Sequence, residues 1–264
     1  MDKELGTPIA YGATAEIYAW EEGQILKLFF DWFDRESIAY EARVARAVHA
    51  SGVPVPAVGE IVELNGRTGL IYERVAGASL FEVMPSKPWT ILRYGRRLAE
   101  MHVEMHSNPL KPDIPRQRQR LVRKINQAKA LPNSLRERIL HALAKMPDGN
   151  QLCHNDYHPG NVMASPAGET IIDWIDASLG NPQADLARSS IIALGAAASS
   201  QTQNMVEKWM VRFFHAVYLR HYFALRPKAR EEYGRWLPIV AAARLSENIP
   251  EVEQWLLAQA EKVP

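Results

Sequence analysis

The stretch "HNDYHPGNV", His154–Val162, holds two histidines, a carboxylate and a carboxamide, with Pro159-Gly160 between them. Just downstream, "IIDWID", Ile171–Asp176, adds two more carboxylates. The short apolar runs "QLC" before it and "NVMA" and "TIID" after it read as strands, and "SPAGE" reads as the turn of a small hairpin. Three readings are open to the stretch: a metal site, a proton-transfer site, or a polar turn between strands.

On the metal reading, His154, Asp156 and His158 alternate and would share one face of a strand, as ligands do in some dinuclear hydrolases. Such sites need further ligands, and the remaining histidines, His49, His102, His106, His141, His215 and His221, all fall on predicted helices. Pro159 and Gly160 also favour a loop. The second reading fits better. His154-x-Asp156, with Asn161 five residues after the aspartate, is the spacing of a phosphoryl-transfer catalytic loop. There the aspartate accepts the substrate hydroxyl proton and the asparagine holds magnesium. Asp173 closes "TIID" twelve residues beyond Asn161, where a second magnesium ligand is expected. Mg2+ takes hard oxygen ligands and few protein groups, which Asn161 and Asp173 supply.

Upstream, the chain reads mostly as strands. "EIYAW" (Glu16–Trp20) and "QILKLFF" (Gln24–Phe30) flank the turn "EEG", and "AVGEIVEL" and "TGLIYERV" flank Asn65-Gly66, a strong hairpin signal. Between the two hairpins, Ile38, Ala42, Ala45 and Val48 recur at helical spacing, and Pro54 and Pro56 forbid continuation. Lys27 lies in mid-strand among apolar neighbours, pointing either to solvent or into a cleft. Glu41 on the following helix is its expected carboxylate partner. Glu36 competes, but the helix must advance several turns to reach the strand. The loop "YGATAEIY" has the single glycine Gly12, yet Ala13, Thr14 and Ala15 are small enough to let backbone N–H groups approach phosphates.

From Ser79 the pattern turns helical, with "TILRYGRRLAEMHVEMH" (Thr90–His106), "RQRQRLVRKINQAKAL" and "SLRERILHALAKM". After Asn181-Pro182 the chain is predicted helical, broken at Pro227 and Pro250. The expected class is α+β. Residues 1–75 form a small β-rich lobe with an antiparallel sheet and one helix, and residues 76–264 a larger, mainly helical lobe, joined at "VAGAS" (Val75–Ser79).

The balance of 31 basic and 30 acidic residues gives no whole-molecule attraction to nucleic acid or acidic membranes. Cys153 is the sole cysteine, so no internal disulfide forms, which fits a reducing cytoplasm. "MDKELGTPIAYG" has no apolar signal-peptide core, and runs such as "SIIALGAAA" are too short to span a bilayer. The expected partners are therefore small molecules, not nucleic acid or membrane.

"HNDYHPGNV", "IIDW", "GNPQADLA" and "YERVAGASL" together resemble the aminoglycoside phosphotransferase family, whose protein-kinase-like fold choline kinases share. The resemblance covers nearly the whole chain and is strongest from His154 to Ala187. It implies a two-lobed small-molecule kinase that transfers a γ-phosphate from ATP or GTP to a hydroxyl, with Mg2+. The first lobe would bind nucleotide; the second would carry the catalytic loop and acceptor site. Asp156 would be the base, Asn161 and Asp173 the metal ligands, and Lys27 the phosphate-binding lysine paired with Glu41. Tyr72 would sit behind the purine, and the Glu73 carbonyl and Val75 N–H would meet its edge. Asp185 would hydrogen-bond the catalytic-loop backbone and cap its helix. His154 would orient the loop, and His158 and Pro159 would shape it.

Several residues keep two readings. Asp176 faces the acceptor or is an ordinary loop carboxylate. Glu247, Glu251 and Glu253, beside Trp255, form a pocket for a cationic acceptor, as carboxylates do in aminoglycoside-directed relatives, or a solvated acidic helix end. Glu251 and Glu253 follow Pro250 and suit a helix dipole, whereas Glu247 precedes it. The basic run Arg116–Lys124 is expected to be a solvated helix face. Of His102 and His106, one is expected buried and the other exposed. Trp174 and Cys153 are expected to pack in the core. The competing functions are a catalytically inactive nucleotide-binding module, a protein kinase and a metal-dependent hydrolase. Asp173–Pro182 is short for a regulated activation loop, and Lys27, Asp156, Asn161 and Asp173 form a complete catalytic set.

Overall fold

The computed structural model describes residues 5–12, 14–86, 88–109, 113–166, 168–199, 201 and 204–264. In chain order its elements begin with β1 (Ala10–Tyr11), β2 (Ala15–Ala19), β3 (Gln24–Phe29), α1 (Arg35–Ala50), β4 (Val58–Leu64), β5 (Arg67–Glu73) and β6 (Ala78–Ser79). Then come α2 (Leu80–Ser86), α3 (Ile91–His106), α4 (Gln117–Gln127), α5 (Asn133–Ala144), β7 (Gln151–Cys153), β8 (Val162–Ser165), β9 (Gly168–Ile171) and β10 (Ser178–Gly180). The chain continues through α6 (Pro182–Ala198), α7 (Met205–Leu225), α8 (Ala229–Arg244) and α9 (Pro250–Ala260). Two compact units result, Met1–Ser79 with Asn161–Ile175, and Leu80–Gly160 with Asp176–Pro264.

The first unit is an antiparallel sheet in the order β1-β2-β3-β5-β4, with a smaller sheet β6-β8-β9. Strand alternation sorts β3 onto two faces. Leu26 and Leu28 join Tyr18 and Leu64 on one side. Phe29 joins Ala15, Leu70 and the α1 residues Ile38 and Ala42 on the other. Lys27 shares the Phe29 side, so its stem is directed toward α1. Asp34 caps α1 by accepting from Ser37 N at 2.8 Å. The β4–β5 turn uses Asn65 and Gly66 with φ of 51° and 78°, the positive values that the Asn-Gly signal anticipates. Gly77, with φ of 112°, precedes β6 where it pairs with β8, and a Cβ there would collide with the Ala164 carbonyl.

The second unit is mainly helical. α3 packs on α7, and α6 packs on α7, α8 and α9. Its core includes Leu121, Ile139, Leu143, Trp236, Ile239 and Leu256. Pro238 lies inside α8 without ending it. α6 is capped by Asn181, whose side chain accepts from Gln183 N at 2.9 Å. The expectation that Asp185 caps this helix is thus corrected: Asp185 lies within its first turn. Among the described residues, no helix is long and apolar enough to cross a membrane.

Gly77→Ala should destabilise the first unit through a backbone clash and an unfavourable positive φ. The expected cost is about 1–3 kcal/mol, read as a lowered midpoint in chemical denaturation. An unchanged midpoint would remove the tight β6–β8 approach as a constraint.

Candidate active site

In the first unit, two expected carboxylates meet the Lys27 ammonium, and Tyr72 joins one of them. Lys27 Nζ donates to Glu41 Oε1 at 2.7 Å and stands 3.5 Å from Asp173 Oδ1. Tyr72 OH donates to the same Glu41 oxygen at 2.8 Å. Glu41 is buried, and its Oε2 has no hydrogen-bond partner. Burial alone would lower the Lys27 pKa, but the Asp173 and Glu41 carboxylates outweigh it and raise it, so the ammonium stays charged. Burial and Glu41 push the Tyr72 phenol well above its ordinary value.

The β8–β9 hairpin sets the two expected metal ligands side by side. Val162 pairs with Ile171, and Ile172 N donates to Asn161 O at 2.9 Å. Asn161 and Asp173 therefore lie at one end of the hairpin. Asp173 has φ of 61°, a left-handed conformation that aspartate tolerates better than most residues. Two hard oxygen side chains so placed fit a magnesium ion that keeps most of its water.

Gly12 N donates to Ala15 O at 2.8 Å in a tight turn, and Thr14 O accepts from Phe30 N. Ala13 lies outside the described residues. Glu73 is tied to the start of β4, with Ala57 N donating to its Oε2 at 3.0 Å, and Val75 follows β5 in the connector. Trp174 and Cys153 are buried, as expected of packing residues.

In the second unit, the loop bearing Asp156 is hung from Asp185. His154 N donates to Asp185 Oδ2 and Asn155 N to Oδ1, each at 2.7 Å. Oδ2 also meets His102 Nε2 and His106 Nε2, both at 3.1 Å. Both histidines are buried, so the expectation of one exposed is corrected. They lie four residues apart on α3 and so share a face, while Tyr218 and Tyr222 do the same on α7. The tyrosine hydroxyls bond His102 Nδ1 at 2.6 Å and His106 Nδ1 at 2.8 Å. Burial, then the neighbouring His106, pushes the His102 pKa down to about 3. Burial would raise Asp185, but hydrogen bonds and charge from the two histidines outweigh it and hold its carboxyl far below the usual range.

Asn155, with φ of 61°, is a site residue that motif spacing does not reveal. Its Nδ2 donates to Asp176 O at 2.9 Å, and its Oδ1 accepts from Gln117 Nε2 at 2.9 Å. Its left-handed backbone puts the loop through a sharp bend immediately before Asp156. Asp156 faces Arg188 Nη2 at 3.4 Å and His158 Nε2 at 3.6 Å. Burial would raise its pKa, yet His158 and Arg188 prevail and keep it ionised.

The basic run is only in part the solvated face expected of it: Arg116 and Arg123 are exposed, but its other basic residues are engaged. Arg118 donates to Asp148 and to helix-end carbonyls, and Arg120, 8% exposed, pairs with Asp176. Lys124 reaches Glu247 at 3.3 Å, and Arg188 reaches Glu247 at 2.6 Å. Asp176 and Glu247 are thus neither isolated nor freely solvated. Arg188 carries no motif signature, because its role depends on α6 facing the loop.

The family model for the phosphotransferase enzyme family (APH) matches residues 6–232. Solved structures with a protein-kinase-like fold agree. APH(4)-Ia, an aminoglycoside phosphotransferase, aligns with a TM-score of 0.68 at 15% identity over 98% of this chain and 92% of its own. A choline/ethanolamine kinase family protein from Mesorhizobium loti aligns with a TM-score of 0.61 at 18% identity over 99% and 87%. Amicoumacin kinase hAmiN, in complex with AMP-PNP, Ca2+ and Ami, aligns with a TM-score of 0.62 at 16% identity over 97% and 86%. No curated protein matches at the sequence level. The fold and the family define a phosphotransferase acting on an alcohol group. The chain belongs to the phosphotransferase enzyme family.

The buried histidines give a pH dependence. His102 has a folded pKa of about 3 and His215, through burial, about 4, against an ordinary value of 6.5. The unfolded chain binds protons that the folded chain refuses. Their contribution is complete above pH ~6.5 and falls as the pH drops, by up to about 1.4 kcal/mol per unit for each group. The melting temperature should therefore fall between pH 7 and pH 5. His215→Phe, which removes a ring nitrogen that has no partner, should make that fall shallower. An equal slope in the variant would mean that His215 takes up protons alike in the folded and unfolded chain.

Proposed function

We propose that the chain transfers the γ-phosphoryl group of ATP or GTP to a hydroxyl of a small molecule, with Mg2+. The observation that carries this reading is the Lys27–Glu41 pair at 2.7 Å with Asp173 3.5 Å from the same ammonium. A lysine so held is charged and pre-aimed, as a group that binds phosphates must be. Amicoumacin kinase, crystallised with AMP-PNP and Ca2+, supports a nucleotide donor and a divalent cation.

In this reading Lys27 donates to the donor phosphates, and Glu41 fixes the lysine with help from Tyr72. Tyr72 borders the purine, with the Glu73 carbonyl and Val75 N–H at its edge, and the small residues Gly12, Thr14 and Ala15 let backbone N–H groups approach the phosphates. Asn161 and Asp173 hold the magnesium, which when bound neutralises phosphate charge. Asp156 accepts the acceptor's hydroxyl proton. An O–P bond forms at that oxygen while the bond from the γ-phosphorus to the bridging oxygen breaks, and a nucleoside diphosphate leaves. A reducing cytoplasm suits the buried Cys153 thiol.

Asp156→Asn should lower turnover by roughly a hundredfold or more while leaving nucleotide affinity nearly unchanged. Wild-type turnover in this variant would sink the base assignment. Asp173→Ala should weaken nucleotide binding in the presence of Mg2+, measured calorimetrically. Equally tight and equally Mg2+-dependent binding would exclude the metal-ligand role.

A further inference from the structure

Beside Asp156, wholly within the second unit, lies a pocket lined by Arg120, Lys124, Arg188, Arg244, Asn155 and Asp176, among others. Its free space is about 30 Å³, room for one small polar group. Four cations there meet three carboxylates. Arg120 and Lys124 pair with Asp176, the latter at 3.5 Å. Glu247 receives Arg188 at 2.6 Å, Lys124 at 3.3 Å and Arg244 at 3.8 Å. Arg188 also faces Asp156.

Three cations already share Glu247, which leaves it little net charge with which to hold an ammonium group. The surplus is of the opposite sign. Arg244 Nε is buried with no hydrogen-bond partner, and its one ion pair is a 3.8 Å contact with a Glu247 that two other cations share. Burial and Arg188 push Lys124 down to about 8 and Arg244 down to about 10. A network that served only to brace helices would gain by shedding an unsatisfied buried cation, because an uncompensated charge is costly. A second anion placed among these side chains would satisfy it. Arginine forks and a lysine suit carboxylate or phosphate oxygens in particular.

We propose that this pocket binds an anionic group of the acceptor, a carboxylate or a phosphate, on Arg244, Lys124 and Arg188. The acceptor is then a small hydroxy acid or a phosphorylated alcohol, and its hydroxyl lies within reach of Asp156. The proposal rests on the phosphotransferase reading of Asp156.

The test separates the two. Binding of AMP-PNP with Mg2+, followed as a thermal shift, examines the donor reading by itself. Calorimetric titrations of the protein with and without AMP-PNP then use four probes: glycerate, glycerol 3-phosphate, glycerol and ethanolamine. Glycerate or glycerol 3-phosphate should bind, and whichever binds identifies a carboxylate or a phosphate as the anion. Glycerol and ethanolamine should bind at least tenfold more weakly. Arg244→Gln and Lys124→Met, each first checked for a cooperative melt, should each weaken acid binding roughly tenfold or more. AMP-PNP affinity should stay the same in both. The proposal is overturned if neither acid binds, if ethanolamine binds as tightly as the acids, or if both variants keep wild-type affinity for the acid.

Discussion

Everything about the Asp156 loop in the second unit depends on one carboxylate. Asp185 has no solvent exposure, and an isolated charge so placed would cost several kcal/mol. It is tolerated because four donors converge on it, two imidazoles and the amides of His154 and Asn155. A His102 imidazole that donates from Nε2 to Asp185 and stays neutral must accept at Nδ1, and that is where the Tyr218 hydroxyl stands. Its tautomer follows from the network. Three helices, α3, α6 and α7, are thereby locked to the loop that carries Asp156. The loop's geometry is inherited from helix packing and does not depend on the loop's own stiffness.

The first unit reaches the same end by a different route. Here strand periodicity decides. Lys27 shares the side of β3 that packs on α1, so a mid-strand lysine meets a helix carboxylate at 2.7 Å with its stem among apolar side chains. Asp173 then arrives from a hairpin whose register is fixed by its pairing with Asn161's neighbour. Positive φ values at Asn155 and Asp173 mark the two places where the backbone bends away from regular geometry to present a carboxylate.

What was legible in the sequence follows from this contrast. The hairpin at Asn65-Gly66, helix α1 and the spacing of Asp156, Asn161 and Asp173 all rest on local rules, and each could be read directly. Lys27 with Glu41 could also be inferred, because strand and helix periods constrain which side chains meet. Arg188, Gln117 and the two tyrosines could not. They act through contacts tens of residues distant along the chain, as Arg188 does on Glu247 and Gln117 on Asn155. The paired His102/His106 and Tyr218/Tyr222 spacings are a usable signal, since two i,i+4 polar pairs on the buried faces of their helices require a buried partner. The charge of the pocket beside Asp156 was hidden for the same reason. A run such as Arg116–Lys124 looks solvated until the facing helix and loop supply Glu247 and Asp176.

Arg188 links the pocket to Asp156. It touches Asp156 on one side and Glu247 on the other, and its charge helps to hold Asp156 below the usual carboxylate range. A carboxylate that weakly basic suits phosphoryl transfer through a loose transition state, where little covalent work falls to the protein and positioning dominates. On the proposal above, an acceptor anion would compete with Asp156 for that guanidinium. Drawing Arg188 toward the anion weakens its attraction for Asp156 and raises the carboxylate's basicity. Acceptors that fill the pocket would thus sharpen the base that receives their proton, whereas water, which brings no charge to Arg188, would not. Discrimination against hydrolysis of the donor would then come from the acceptor's own charge, with no need for a closing lid.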